Sequence, residues 1–192
     1  MSESTLFSIV LAAGESSRFG SSKQLAKIDG STLVARAMRN AEAICGRASL
    51  LVAGRDWQDV AAACRPLQGF IVVNEGYAGG MASSIKAGVA AVSNVADGIL
   101  VILADQPLVT PEHLAALVAA WRQTPGTIVA SAYAGTSGPP LVFPRDFFGD
   151  LMSLNGDRGA KSIIDRNSDR LLTIEFEPAA VDIDRPADLE IL

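Results

Sequence analysis

Along this 192-residue chain, short apolar runs rich in Val and Ile alternate with longer stretches whose apolar residues recur every three to four positions. The short runs, at 7–12, 48–54, 70–74, 98–103, 128–133, 141–143 and 171–176, read as strands. The longer ones, at 33–45, 57–64, 81–92, from Pro111 onward, at 159–166 and at 186–192, read as helices. Val34, Met38, Ala41 and Cys45 form one apolar stripe, and Leu114, Leu117, Val118 and Trp121 another. Thr110 ahead of Pro111 and Glu112 is an N-cap signature, with the acid placed where the helix dipole favours it. Such alternation specifies a mostly parallel sheet covered by helices on both faces, with "GILVIL" (98–103) as its central strand. Ligands of such sheets gather at the carboxyl ends of strands, so residues that follow strands carry the chemistry.

The length suits a single domain over residues 1–192, and an apolar content near half supplies its core. Sixteen basic against 21 acidic side chains argue against a nucleic-acid-binding face. No run approaches the ~18 apolar residues of a membrane span, and "MSESTLFSIVLAAG" lacks the basic start of a signal peptide. Cys45 and Cys64 have no metal or redox spacing and fall on apolar helix faces; buried thiols in a reducing cytoplasm are expected. His113, in the capped first turn, reads as a surface residue.

Five segments carry candidate chemistry. In "LAAGESSRFGSSKQL" (11–25) a strand enters a small-residue loop with two cations. Its glycine spacing is neither Walker A nor GxGxxG. Gly14 and Gly20 still let backbone N–H groups approach a phosphate, and Arg18 and Lys23 together neutralise a triphosphate. A solvated basic loop is the alternative. In "GILVILADQPLVT", Asp105 follows the central strand and Pro107 prevents its continuation, which puts a carboxylate at the sheet edge. That ligand suits Mg²⁺, which takes one or two carboxylates plus substrate phosphates; a plain Asp turn is the alternative. In "VDIDRPADLEIL", Asp182 and Asp184 share one face of an extended segment, and either can complete a metal site with Asp105. Asp184 as a mere helix cap is the competing reading. In "NEGYAGGMASSIKAG", Gly79 and Gly80 open a helix whose first turn carries Ser83 and Ser84, suited to an anion or a polar base edge. The loops "GTSGPPLVF" and "LNGDRGAKSII" can line a second-substrate pocket.

In this order, these segments resemble the MobA-like nucleotidyltransferases, whose signature is LAAGxSxRxGxxK, over residues 9–189. The subgroup they most resemble is the molybdenum cofactor cytidylyltransferases. The resemblance implies a Rossmann-like three-layer αβα sandwich, mostly parallel with one antiparallel strand. It implies transfer of CMP from CTP to the terminal phosphate of molybdopterin, with release of pyrophosphate. The backbone of Leu11, Ala12, Ala13 and Gly14 would read the base, Gly80, Ser83 and Ser84 would also receive the nucleotide, Arg18 and Lys23 its triphosphate, and Asp105 with Asp184 the Mg²⁺. Gly138, Pro139 and Asp157 would face the acceptor, and a molybdoenzyme of the xanthine dehydrogenase type would be the partner. "LAAG" in place of LAGG, and "GMAS" in place of a PLAG-like segment, point to cytidine rather than guanosine. Family members often carry Gly-His-Pro where this chain has Gly138-Pro139-Pro140, so any acceptor contact made by that histidine is absent. Alternatives are a sugar phosphate or methylerythritol phosphate acceptor, a non-catalytic cofactor carrier, and a nicotinamide- or flavin-dependent oxidoreductase.

Overall fold

Neighbouring residues of strand β1 (Leu6–Ala12) enter different cores in this computed structural model, which describes residues 4–14, 19–20, 22–156 and 159–191. Ile9 and Leu11 pack on one face of the sheet, Val10 and Ala12 on the other. That alternation is the period of two that any strand imposes, here with both faces dry. A small hairpin, β2 (Lys27–Ile28) and β3 (Ser31–Thr32), leads into α1 (Leu33–Cys45). Next come β4 (Ser49–Ala53), α2 (Trp57–Ala63), β5 (Phe70–Val73), α3 (Met81–Val92), β6 (Gly98–Leu103) and α4 (Pro111–Gln123). The chain closes with β7 (Ile128–Tyr133), β8 (Thr136–Pro144), α5 (Phe148–Met152), α6 (Lys161–Arg166) and β9 (Leu171–Glu175).

The main sheet runs β5-β4-β1-β6-β8-β7-β9, with β6 in the middle. Every pairing is parallel except those of β8, which runs against both β6 and β7. The expected αβα sandwich with one antiparallel strand is therefore the architecture found. One helical layer contributes Val34, Met38, Val60 and Leu114 to the core, and the other Ile85, Val89, Leu151 and Ile163. A side chain buried this way contributes roughly 1.5–3 kcal/mol, so both layers hold the sheet.

Helices α1 and α3 begin and end where the pattern predicts. Thr32 Oγ1 accepts the Ala35 N–H at 3.3 Å, and Thr110 Oγ1 accepts the His113 N–H at 3.3 Å, the two caps that start α1 and α4. Strand β8 is longer than its expected core at 141–143. It joins β7 through the two-residue turn Ala134-Gly135, both with positive φ (48° and 71°), a turn whose twist matches that of the paired strands. Residues 186–191 form a 3₁₀ segment.

His113 corrects the expectation of a surface residue. It is 6 % exposed, its ring stacks on Phe176 with centroids 3.8 Å apart, and Nε2 lies 2.7 Å from Ser131 Oγ. The partners come from β7 and from the residue that follows the edge strand β9, which no local pattern around His113 records. Cys64 is buried as expected, whereas Cys45 is half-buried. No helix among the described residues is long and apolar enough to cross a membrane.

Candidate active site

The sheet changes its winding direction at β1. From there the chain goes out to β4 and β5 on one side, and β6 lies on the other, so the carboxyl ends of β1 and β6 open a crevice. Leu11 is in register with Leu103, and the Ala104 N–H donates to the Leu11 carbonyl at 3.1 Å. Strand β1 thus delivers Ala13 and Gly14, and β6 delivers Asp105, to the same ledge.

Lys23 begins a 3₁₀ turn (Lys23–Leu25) on that ledge. Its ammonium donates to Asp105 Oδ2 at 2.7 Å and to Asp184 Oδ1 at 2.9 Å. Burial pulls the Lys23 pKa down, but the charge of Asp105, its hydrogen bond and Asp184 outweigh that and leave it raised. Lys23 is therefore a fixed cation. Asp184 arrives by backbone pairing: the Ile183 N–H donates to the Asp105 carbonyl at 3.0 Å, with the Ile183 side chain fully buried. Asp188 Oδ2 accepts the N–H groups of Asp184 and Arg185 at 2.8 and 2.7 Å. Asp188, not Asp184, thus supplies the carboxylate at this helical start, and Asp184 is left to face Lys23. The Asp182 carboxyl is pushed up to about 6 by burial and then by the charges of Asp105 and Asp184. The acidic cluster is Asp105, Asp182 and Asp184, with Lys23 between two of them.

Asp105 and Lys23 also line a cleft of about 360 Å³, to which Leu11, Ala13, Gly14, Gly80 and Ser84 contribute among the other expected residues. The Ala12 methyl packs into the opposite core. Ser83 lies one step behind the cleft wall: its hydroxyl donates to the Gly80 carbonyl at 2.8 Å and accepts from Asn74 Nδ2 at 2.8 Å. Asn74 Nδ2 also reaches Ser84 Oγ at 3.1 Å, and Asn74 Oδ1 accepts the Gly76 N–H at 3.0 Å. Gln24 is buried, with its amide NH₂ on the Gly14 carbonyl at 3.0 Å and its oxygen accepting from the Ser22 hydroxyl at 2.9 Å. Tyr77 and Met81 complete the rim.

Gly138 and Pro139 lie in β8, beside Tyr133. A Cβ on Gly138 would stand 2.6 Å from Tyr133 Oη, so a larger residue here requires the tyrosine hydroxyl or the strand to shift. The Tyr133 pKa is raised, first by burial and further by Asp182 and Asp105, against a lowering hydrogen bond from Gln106. That phenol therefore belongs to the acidic cluster's surroundings. Arg18 and Asp157 lie outside the described residues.

Whether these residues suit a divalent cation is decided by oxygen chemistry. Asp105 Oδ1 is buried and has no hydrogen-bond partner, while its other oxygen and Asp184 Oδ1 converge on one cationic group. Among the described residues no group of three or more acidic, histidine or cysteine side chains is arranged to hold a metal alone. Two carboxylates with room for water and phosphate oxygens fit Mg²⁺ or Mn²⁺, not a closed protein cage.

Residues 8–171 match the family model of the MobA-like NTP transferase domain. The chain belongs to that family. Within reach of this MobA-like chain is the purine catabolism protein PucB of Bacillus subtilis, 29 % identical over 83 % of this chain and 80 % of that protein. The nicotine blue oxidoreductase of Paenarthrobacter nicotinovorans is 32 % identical over 80 % of this chain and 78 % of that protein. Among solved structures, Rv0371c of Mycobacterium tuberculosis in complex with manganese superposes with a TM-score of 0.78 at 27 % identity, covering 98 % of each chain.

Sequence reasoning passed over Gln24, Asn74, Tyr77 and Gln106. A signal existed for two of them. Asn74 closes the run "FIVVN" and Gln106 follows Asp105 in "ADQP", both polar residues just after strands, the place from which Asp105 itself was read.

Proposed function

We propose that this chain is a single-domain, divalent-metal-dependent cytidylyltransferase that moves CMP from CTP to the terminal phosphate of molybdopterin. The observation that carries the reading is the sharing of the Lys23 ammonium by Asp105 and Asp184 at the mouth of a nucleotide-sized cleft. It supports a site where phosphate charge and a metal are handled together. PucB, named for purine catabolism, supports a partner of the xanthine dehydrogenase type, because such enzymes oxidise purines. The two free thiols support a cytoplasmic setting.

In this reading the β1 end, residues Leu11 to Gly14, reads the base by its backbone, and the Ser84 hydroxyl, oriented by Asn74, donates into the cleft. The Ala13 methyl narrows the space beside the base and favours a pyrimidine. A terminal phosphate oxygen of the acceptor attacks the α-phosphorus of CTP in line. A new P–O bond forms, the bond to the bridging oxygen breaks, and pyrophosphate leaves with its electron pair. The acceptor phosphate is already ionised near neutral pH, so no general base is needed. Lys23, together with Arg18, would neutralise the triphosphate, and Asp105 and Asp184 would hold the metal. Bound there, Mg²⁺ supplies charge neutralisation on the transferring phosphoryl group and the leaving pyrophosphate. Catalysis is then positioning plus electrostatics.

The test is calorimetry with CTP, GTP, ATP and NADH, each with and without Mg²⁺, followed by pyrophosphate release with molybdopterin. Metal-dependent preference for CTP and acceptor-dependent release are expected. A preference for GTP would move the chain to guanylyl transfer. Similarity to the nicotine blue oxidoreductase favours a second reading, hydride transfer, for which binding of NADH without any NTP is the signature.

A further inference from the structure

Gln106 is 4 % exposed and sits directly after Asp105. Its amide NH₂ donates to two carbonyls from distant parts of the chain, Ala179 at 2.8 Å and Pro139 at 3.2 Å. Two acceptors on one side fix which end of the amide is nitrogen, since only an NH₂ can serve both. Its Oε1 is buried and has no hydrogen-bond partner.

Each of the two carbonyls belongs to a segment that borders the candidate site. Ala179 is fully buried and lies four residues before Ile183, whose N–H pairs with the Asp105 carbonyl and thereby delivers Asp184. Pro139 lies in the wall next to Gly138 and Tyr133. The other carbonyl of the Pro139-Pro140 pair is held from the opposite side by Ser131, whose hydroxyl donates to it at 2.7 Å. With its proton spent there, Ser131 Oγ accepts from His113, so the ring carries its hydrogen on Nε2. Burial lowers the His113 pKa to about 4, which keeps the imidazole neutral in this role.

We infer that Gln106 is a positioning residue: it ties the segment carrying Asp184 and the wall around Pro139 to the strand end carrying Asp105, and so sets the spacing between metal carboxylates and second substrate. The role rests on the metal reading proposed above, but its contacts do not. Packing alone does not account for the residue, because an apolar side chain of equal length fills the same volume without leaving an amide oxygen buried and unpaired. The two anchored carbonyls, together with the hydrogen bonds of Gln106 to Tyr133 and Asp182, are the reason for an amide at this position.

The experiment compares wild type with Gln106→Met, which keeps length and volume but cannot donate, and with Gln106→Asn, which restores an NH₂ on a shorter stem. Three quantities are read: hydrogen exchange of residues 179–184 and of Gly138 and Leu141, Mn²⁺ affinity by electron paramagnetic resonance in the presence of CTP, and CTP affinity alone. In Gln106→Met the exchange of those segments should rise about 10-fold while β1 and β4 amides stay unchanged. Mn²⁺ affinity should fall by about 10–100-fold, the range for groups that orient metal ligands, and CTP affinity without metal should stay within about 2-fold. Gln106→Asn should recover part of both losses. Exchange and Mn²⁺ binding equal to wild type overturn the inference, as does a uniform loss of protection over the whole sheet, which is the mark of a purely structural residue. If wild type binds neither Mn²⁺ nor CTP, the proposed function fails, while the exchange pattern still decides whether Gln106 ties the two segments together.

Discussion

Lys23 Nζ and Asp184 Oδ1 lie 2.9 Å apart although 161 residues separate them in the chain. The same ammonium touches Asp105 at 2.7 Å, so one cation bridges the first loop, the central strand end and the C-terminal segment. In the proposed reading, lysine and metal would compete for these two carboxylates before substrate arrives.

That competition predicts opposite effects for one substitution. Lys23→Met removes a cation shared by Asp105 and Asp184, so Mn²⁺ affinity without nucleotide should rise by about 10-fold. CTP affinity should fall by about 10–100-fold, the loss of a charge-assisted contact worth roughly 1.5–3 kcal/mol. Resonance titration and calorimetry read the two separately. Unchanged Mn²⁺ affinity would remove the competition from the picture.

Asp105→Asn keeps the shape of the side chain and an oxygen for Lys23 but removes the charge. Pyrophosphate release should drop at least about 100-fold, with the melting temperature shifted by no more than a few degrees. Full turnover by this variant at saturating Mg²⁺ would assign the metal to other ligands.

His113 sets a pH dependence of stability. Its folded pKa, about 4, lies below the ordinary 6.5, because burial disfavours the charged ring. Between those values the unfolded chain binds a proton that the folded chain refuses. The contribution is thus fully present above pH 6.5 and is lost as pH falls toward 4, by up to about 3 kcal/mol. His113→Phe retains the stack on Phe176 and abolishes this slope. Urea denaturation at pH 7 and pH 5 should show the wild type losing stability that the variant keeps.

Gly138 and Tyr133 should behave as a coupled pair. Gly138→Ala places a methyl 2.6 Å from Tyr133 Oη and should destabilise by about 1–3 kcal/mol. Adding Tyr133→Phe removes the obstructing oxygen, the next ring atom being 3.5 Å away, and should restore most of that loss. A double-mutant cycle measures the coupling; additive losses would mean that the clash is relieved some other way.

Local rules wrote most of the fold plainly. The α1 and α3 boundaries were readable because Thr32 caps one helix and Gly80 precedes the other, and β6 stood out as the most apolar run. The start of β8 was hidden because Gly138-Pro139-Pro140 looks like a turn. A strand tolerates it here because Gln106 and Ser131 accept the role of pairing partners for the two proline carbonyls, next to a register shift at Ala130/Ser131. At the site, Lys23 and Asp105 were nameable as candidates from strand-end logic alone, and Asp182 and Asp184 as a pair on one face of an extended segment. Which of the two meets Lys23 was not legible, since it depends on the Ile183 N–H finding the Asp105 carbonyl across 78 residues. The burial of His113 likewise depends on Ser131 and Phe176, supplied by β7 and the segment after β9.

The reversed direction of β8 has a consequence for how chains of this architecture diverge. Parallel strands reach the working edge only with their ends, and β4, β5 and β6 are each followed by a helix. Strand β8 instead starts at that edge, straight out of the Ala134-Gly135 turn. Residues added to this hairpin extend the wall outward without displacing the pairing of Val101 with Leu141 or of Ile99 with Phe143 below it. One rim of the crevice can therefore be remodelled by small insertions while the rim built by β1 and β6 keeps its spacing, so that in the proposed reading the sites for nucleotide and acceptor would be free to change on separate schedules.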